Sequence, residues 1–185
     1  MQIIVSVGVS PEDYVETDYQ EQIAPPANCP NCQAARALRA LGYYSRFVTA
    51  MLTAAVLEIW VRRFWCRECD ITVSCLPDFA QPYRVVNNQT IEDGFQENNQ
   101  PHVQRWAGLV RGYWRRLERH WRHLRARVGA FFGRLAPDAT ARQFWESLLG
   151  ACGSLATATR QLVDDFRETL FATYQCHQPK SYQAS

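Results

Sequence analysis

From Val56 to Cys66 the chain alternates, placing Val56, Glu58, Trp60, Arg62 and Phe64 on one side and Leu57, Ile59, Val61, Arg63 and Trp65 on the other. A period of two in bulky β-formers predicts a strand that runs directly into a Cys-x-x-Cys pair. Near the N-terminus, the run IIVSVGV at residues 3–9 predicts a short edge strand. Beyond Val110 the period changes. Trp114, Leu117, Trp121, Leu124, Val128, Phe131 and Leu135 recur at alternating steps of four and three, which predicts a helix over residues 101–135 with one narrow apolar stripe. Trp145, Leu148, Cys152, Leu155, Leu162 and Phe166 make a second stripe within residues 139–174. Pro137 and Asp138 interrupt the chain between them, so an antiparallel helical hairpin is expected. Gly150 and Gly153 each weaken the second helix by about 1 kcal/mol relative to Ala and predict a kink or a close helix contact. Residues 84–100, RVVNNQTIEDGFQENNQ, predict one short helix capped near Asn88 or Thr90.

These elements divide the chain into an acidic leader (1–28), a cysteine-bearing β unit (29–83), a short helix plus a long arginine-rich helix (84–135), and a C-terminal amphipathic helix with a tail (136–185). The expected class is α+β, with a small four-cysteine ribbon of β-hairpins ahead of a mainly α-helical C-terminal half.

Composition narrows the function. A chain of 185 residues that is 47% hydrophobic and holds six tryptophans buries a core of one modest domain plus an appendage. No uninterrupted apolar run is long enough to span a membrane, and the first residues lack the basic start and small-residue cleavage site of a secretory signal, so a cytoplasmic protein is expected. In a reducing compartment, cysteine pairs at fixed spacing point to metal before disulfides. The net charge of +2 conceals a polarity. Residues 1–28 carry Glu12, Asp13, Glu16, Asp18 and Glu21 and no Lys or Arg, whereas residues 101–135 carry nine Arg against the single acid Glu118. Lys180 is the only lysine. Arginine supplies the planar, always-charged donor that suits phosphate oxygens.

Cys29, Cys32, Cys66 and Cys69 have the layout of a four-thiolate tetrahedral site, each pair offering two sulfurs from a tight turn. Zinc is the default ion, and iron in a rubredoxin-like site is the alternative, because a tetrahedron of sulfurs suits both. A redox role for one pair lacks the surrounding βαβ pattern. Cys75, Cys152 and Cys176 have no paired spacing and read as small buried or incidental residues. His120 and His123 stand one helical turn apart, but within RRLERHWRHLRAR, with no carboxylate or cysteine partner near in sequence, they read as part of a basic face. His102 and His177 carry no pattern. Asp164, Asp165 and Glu168 read as an exposed acidic helix face. A closed four-Cys site leaves no coordination position for substrate, and the chain has no Gly-rich phosphate loop, nucleophile elbow or H-E-x-x-H, so it is expected not to be an enzyme.

The residues from Cys29 to Tyr83 resemble a bacterial zinc-ribbon domain of unknown function that recurs in short proteins associated with insertion sequences and transposases. The resemblance is carried by Cys29-Pro30-x-Cys32, by Gly42-Tyr43-Tyr44-x-Arg46, by Glu58-Ile59-x-Val61-x-Arg63-Phe64-x-Cys66-x-x-Cys69, and by Thr72-x-Ser74-x-Leu76-Pro77-x-Phe79-x-x-Pro82-Tyr83. It implies a zinc ribbon, commonly followed by a helix-turn-helix segment, in a bacterial protein that touches DNA and sits at the nucleoid. Two departures stand out. Gln33 replaces the glycine usual after the first pair, and Asp70 follows the second. The helix-turn-helix is shortened, with TIEDGFQENN as a stunted first helix and QPHVQRWAGLVRGYWRR resembling the recognition helix, which leaves backbone contact open and base reading in doubt. The function expected is therefore a zinc-ribbon DNA-binding or accessory protein of a mobile element, with Arg105, Arg111, Arg115, Arg116, Arg119 and Arg122 as phosphate contacts. The rival is a zinc-stabilised protein-interaction module, with a transposase or a second copy docking on the apolar helix stripes and no nucleic acid involved.

Overall fold

The structure is a computed structural model that describes residues 1–53, 55–98 and 100–172. Its first half is one four-stranded sheet of β1 (Gln2–Val5), β2 (Leu38–Thr49), β3 (Val56–Cys66) and β4 (Thr72–Pro77), in the order β1-β4-β3-β2. The alternating segment is β3, with the bounds its pattern predicts. It pairs antiparallel with β2, from Leu38 opposite Cys66 to Thr49 opposite Val56, the register slipping between Ala40 and Gly42. On its other side it pairs antiparallel with β4. The N-terminal run is an edge strand as expected, and it lies parallel to β4, with Ile3 beside Cys75.

Each sheet face carries a buried cluster, although Phe47, Val56 and Trp60 are left exposed on one of them. Ile59, Val61, Val48 and Leu76 pack with Tyr14 and Phe79 on one side, while Phe64, Cys66, Val73 and Cys75 pack with Leu38 and Cys29 on the other. Helix α1 (Pro11–Glu16) explains how the acidic segment joins this core: the Ser10 side chain caps it, Pro11 fixes its first turn, and Tyr14 is fully buried. The Tyr14 hydroxyl donates to the Trp60 carbonyl at 2.8 Å.

Helix α2 (Asn88–Phe95) is capped by Asn87, one residue before the expected position. The Asn87 amide also donates to the carbonyls of Thr49 and Ala50 at 3.0 and 2.9 Å, anchoring the helix to the end of β2. Gly94 lets α2 approach the next helix, since a Cβ there would lie 2.6 Å from Val110 Cγ1.

Helix α3 (Pro101–Val128) is shorter than its apolar period, which continues to Leu135. Gly129, with φ of 56°, ends it, and Phe131 lies exposed outside the helix. The second stripe is likewise not one helix. Helix α4 (Ala141–Cys152) starts at a Thr140–Gln143 capping box and stops at Gly153 in the left-handed region, where the sequence predicts a kink. Helix α5 (Leu155–Gln161) follows, then a π-helical turn at Leu162–Phe166. Residues 173–185, including Cys176, His177 and Lys180, lie outside the described residues. Leu117, Trp121 and Leu124 of α3 pack with Phe144, Trp145 and Leu148 of α4 and with Leu155 and Leu162 in one core. The two halves are joined: Val163 belongs to the sheet cluster, and buried Gln81 donates to Thr159 Oγ1 at 2.6 Å. Among the described residues no helix is long and apolar enough to cross a membrane.

Candidate metal centre

Two turns with the same hydrogen-bond plan bring the cysteines together. In the first, the Cys29 amide donates to Ala34 O at 3.0 Å and the Gln33 amide donates back to Cys29 O at 2.9 Å. In the second, the Cys66 amide donates to Ile71 O at 2.9 Å and the Asp70 amide to Cys66 O at 3.0 Å. Gln33 and Asp70, which follow the two pairs, have φ of 62° and 56°. The left-handed region that favours glycine is thus occupied by Gln in one turn and by Asp, which tolerates it better, in the other. The two turns are held side by side by the end of the β2–β3 ladder and by the Arg67 amide, which donates to Ala37 O at 3.1 Å.

The four Sγ atoms lie within 4.8 Å of one another. Cys29 Sγ is 3.7 Å from Cys69 Sγ, and Cys32 Sγ is 3.7 Å from Cys66 Sγ. Disulfide sulfurs would be about 2.05 Å apart. A tetrahedron with metal–sulfur bonds of about 2.3 Å has edges of about 3.8 Å, so the donor set fits a four-thiolate ion. Cys29 and Cys66 are fully buried, Cys69 is half-buried and Cys32 faces out. Burial pushes the Cys29 and Cys69 thiols up. Burial would raise Cys66 too, but the amides of Cys69 and Glu68, with the neighbouring sulfurs, draw it down. These four cysteines could hold a metal ion.

Two arginines of the sheet make structural contacts. Arg46 donates to the carbonyls of Gln81 and Arg84, tying β2 to the loop before α2. Arg62 bonds the Tyr43 hydroxyl and lies over its ring at 4.5 Å. The C-terminal half also reaches the site, because Arg167 donates to the Pro30 carbonyl at 3.0 Å.

Arg105, Arg111, Arg115, Arg116, Arg119 and Arg122 are all exposed on α3. At about 100° per residue they fall within an arc of about 140°, opposite the arc of about 80° that holds the buried residues Val103 to Val128. None of the six makes an ion pair among the described residues. Arg105 and Arg122 lie over the rings of Trp106 and Trp121 at 5.9 and 5.5 Å.

The remaining candidates divide. Cys75 is fully buried in the sheet and burial pushes its thiol up to about 12, which keeps it inert. Cys152 is half-buried and its thiol donates to Gln161 Oε1. Asp164 and Asp165 are exposed, as expected, but Glu168 is not: it is buried beyond the π turn, 3.2 Å from His123 Nε2 and 3.1 Å from Arg127 Nε. The grouping of His120, His123 and Glu168 is invisible in sequence because the carboxylate arrives from a separate segment of chain.

Among known proteins, part of the chain is similar to a family whose function is unassigned. Residues 29–107 match the family described as a domain of unknown function (DUF6431). The match runs from the first cysteine turn through β2, β3, β4 and α2 into the opening turns of α3, so Arg105 lies inside it and the other five arginines, like β1, lie outside. No curated protein matches the chain. No solved structure matches it either. Over those residues the chain is similar to a domain whose function is unassigned.

Proposed function

We propose that the chain is a zinc-ribbon DNA-binding protein: Cys29, Cys32, Cys66 and Cys69 hold a structural zinc ion, and α3 lies along a phosphate backbone. Zinc needs only the tetrahedral thiolate set and has no redox chemistry to support, and bound there it supplies folding energy to a ribbon with a thin core. The observation that carries the DNA reading is the arc of six exposed, unpaired arginines on a single helix face, whose opposite face is consumed by the core. Phosphate contact positions a protein without reading bases, which suits a helix whose helix-turn-helix partner, α2, is only eight residues long. An accessory role beside a transposase follows from the resemblance of residues 29–83 and is part of the same proposal.

The interaction-module reading has less support, because the apolar stripes it would use are buried inside the chain: Leu117, Leu124 and Leu148 are all fully covered. Binding of labelled duplex DNA across a salt series tests the choice. The logarithm of affinity is expected to fall with the logarithm of salt by about 0.9 per phosphate contact, with about four to six contacts. Metal-loaded protein that binds neither duplex nor single strands at low salt would overturn the reading.

A further inference from the structure

We propose that His120, His123 and Glu168 form a second metal site, separate from the cysteines, for a divalent transition-metal ion of the zinc, nickel or cobalt type. A ring nitrogen from each histidine and a carboxylate oxygen lie within 4.8 Å of one another. The histidines come from one face of α3, their rings stacked at 4.9 Å and 23°. Glu168 comes from the chain after the π turn, where its amide bonds to Leu162 O at 3.0 Å, so its backbone belongs to a segment separate from α3.

Three features favour a ligand there over a polar contact alone. His120 Nε2 is buried with no hydrogen-bond partner among the described residues, a state that is unfavourable unless something else fills it. Arg127 and His123 both engage Oε1 of Glu168, leaving Oε2 for an ion. Arg127 then acts as the outer hydrogen-bond partner that orients a ligating carboxylate. Two atoms bound to one ion at about 2.1 Å are at most about 4.2 Å apart, so atoms within 4.8 Å need close by no more than about 0.6 Å. His123 can supply that movement, since its side chain is 54% exposed.

The donor set selects the ion. Two imidazoles and one carboxylate suit zinc, nickel, copper or cobalt, whereas calcium and magnesium take oxygen donors and would meet only one here, beside a guanidinium. An ion so held joins the middle of α3 to the segment that carries Leu170 and Phe171 into the helical core.

The test uses untagged full-length protein with its cysteine site already loaded with zinc, titrated with nickel sulfate. Uptake of one nickel per chain is expected, without release of zinc, without a thiolate-to-metal charge-transfer band, and with a raised thermal midpoint. His120→Gln and the exposed His123→Gln are each expected to weaken binding by roughly a hundredfold. His123→Gln is not expected to disturb folding, so its result reads the site alone. No nickel uptake by wild type, uptake that displaces zinc, or uptake that survives His123→Gln unchanged would each overturn the proposal.

Discussion

Gln33 and Asp70 hold equivalent places in the two cysteine turns. Each lies four residues after the first cysteine of its pair, takes a left-handed φ, and donates its amide to that cysteine's carbonyl. Only Asp70 gains from its side chain, whose Oδ1 accepts from Trp65 Nε1 at 2.7 Å. Gln33→Gly should therefore raise the stability of the metal-loaded protein by about 1 kcal/mol, whereas Asp70→Gly should bring no gain. Thermal melts of the two variants check this, and equal shifts would contradict it.

Metal at the cysteines and folding of the sheet should be lost together. Cys66→Ser in cobalt-substituted protein is expected to abolish the thiolate charge-transfer bands and to unfold the ribbon. Cys75→Ser should keep those bands while lowering stability, because it leaves a hydroxyl in an apolar site. A visible spectrum in the protein as purified would indicate iron instead of zinc.

The helical core should be intolerant of charge. Leu117→Asp and Leu124→Asp each place a carboxylate at a fully buried position and should cost several kcal/mol in chemical denaturation. Leu109→Asp, at a position 42% exposed on the same helix, should change stability by less than about 0.5 kcal/mol.

Glu92 links α2 to the start of α5 through the Leu155 amide, 2.7 Å from its Oε2, and burial raises its carboxyl above the ordinary range. With the folded value above the unfolded one, the folded state holds the proton more tightly, so this group's contribution declines as pH rises through the carboxylate range. Glu92→Gln should then gain on wild type in urea midpoint at pH 7 relative to pH 4. A difference that grows at the acid end would reverse the sign.

Arg115 and Arg119 lie on the exposed face of α3, one turn apart, and changing both to Gln keeps helix propensity nearly constant. The salt slope of DNA binding should fall by about two units with sequence preference unchanged. Loss of one preferred sequence would instead mark these residues as base readers.

Local pattern made much of this architecture legible. The alternation of Val56 to Cys66 and the two Cys-x-x-Cys turns are decided by neighbours in sequence, and the structure keeps them. Features decided by distant chain were not legible. The parallel partner of Ile3 is Cys75, and the carboxylate beside His123 comes from residue 168. Periodicity also ran past two glycines. Apolar spacing persists to Leu135 and through Gly153, but left-handed or otherwise positive φ at Gly129 and Gly153 turns the backbone away while the spacing continues. The family match and the cysteine geometry converge on residues 29–107, and the arginine face extends beyond them.

The bond from Arg167 to Pro30 constrains the order in which the chain can finish folding. Both cysteine turns are complete once Ile71 has left the ribosome, and β4 closes the hairpins soon after. The flank of the first turn, and the place of Val163 in the sheet, can be filled only when nearly a hundred further residues have been synthesised. Loop closure over that distance is slow relative to the local hairpins. A nascent sheet would therefore present its four cysteines with one flank still open, and the helical half would close over them afterwards.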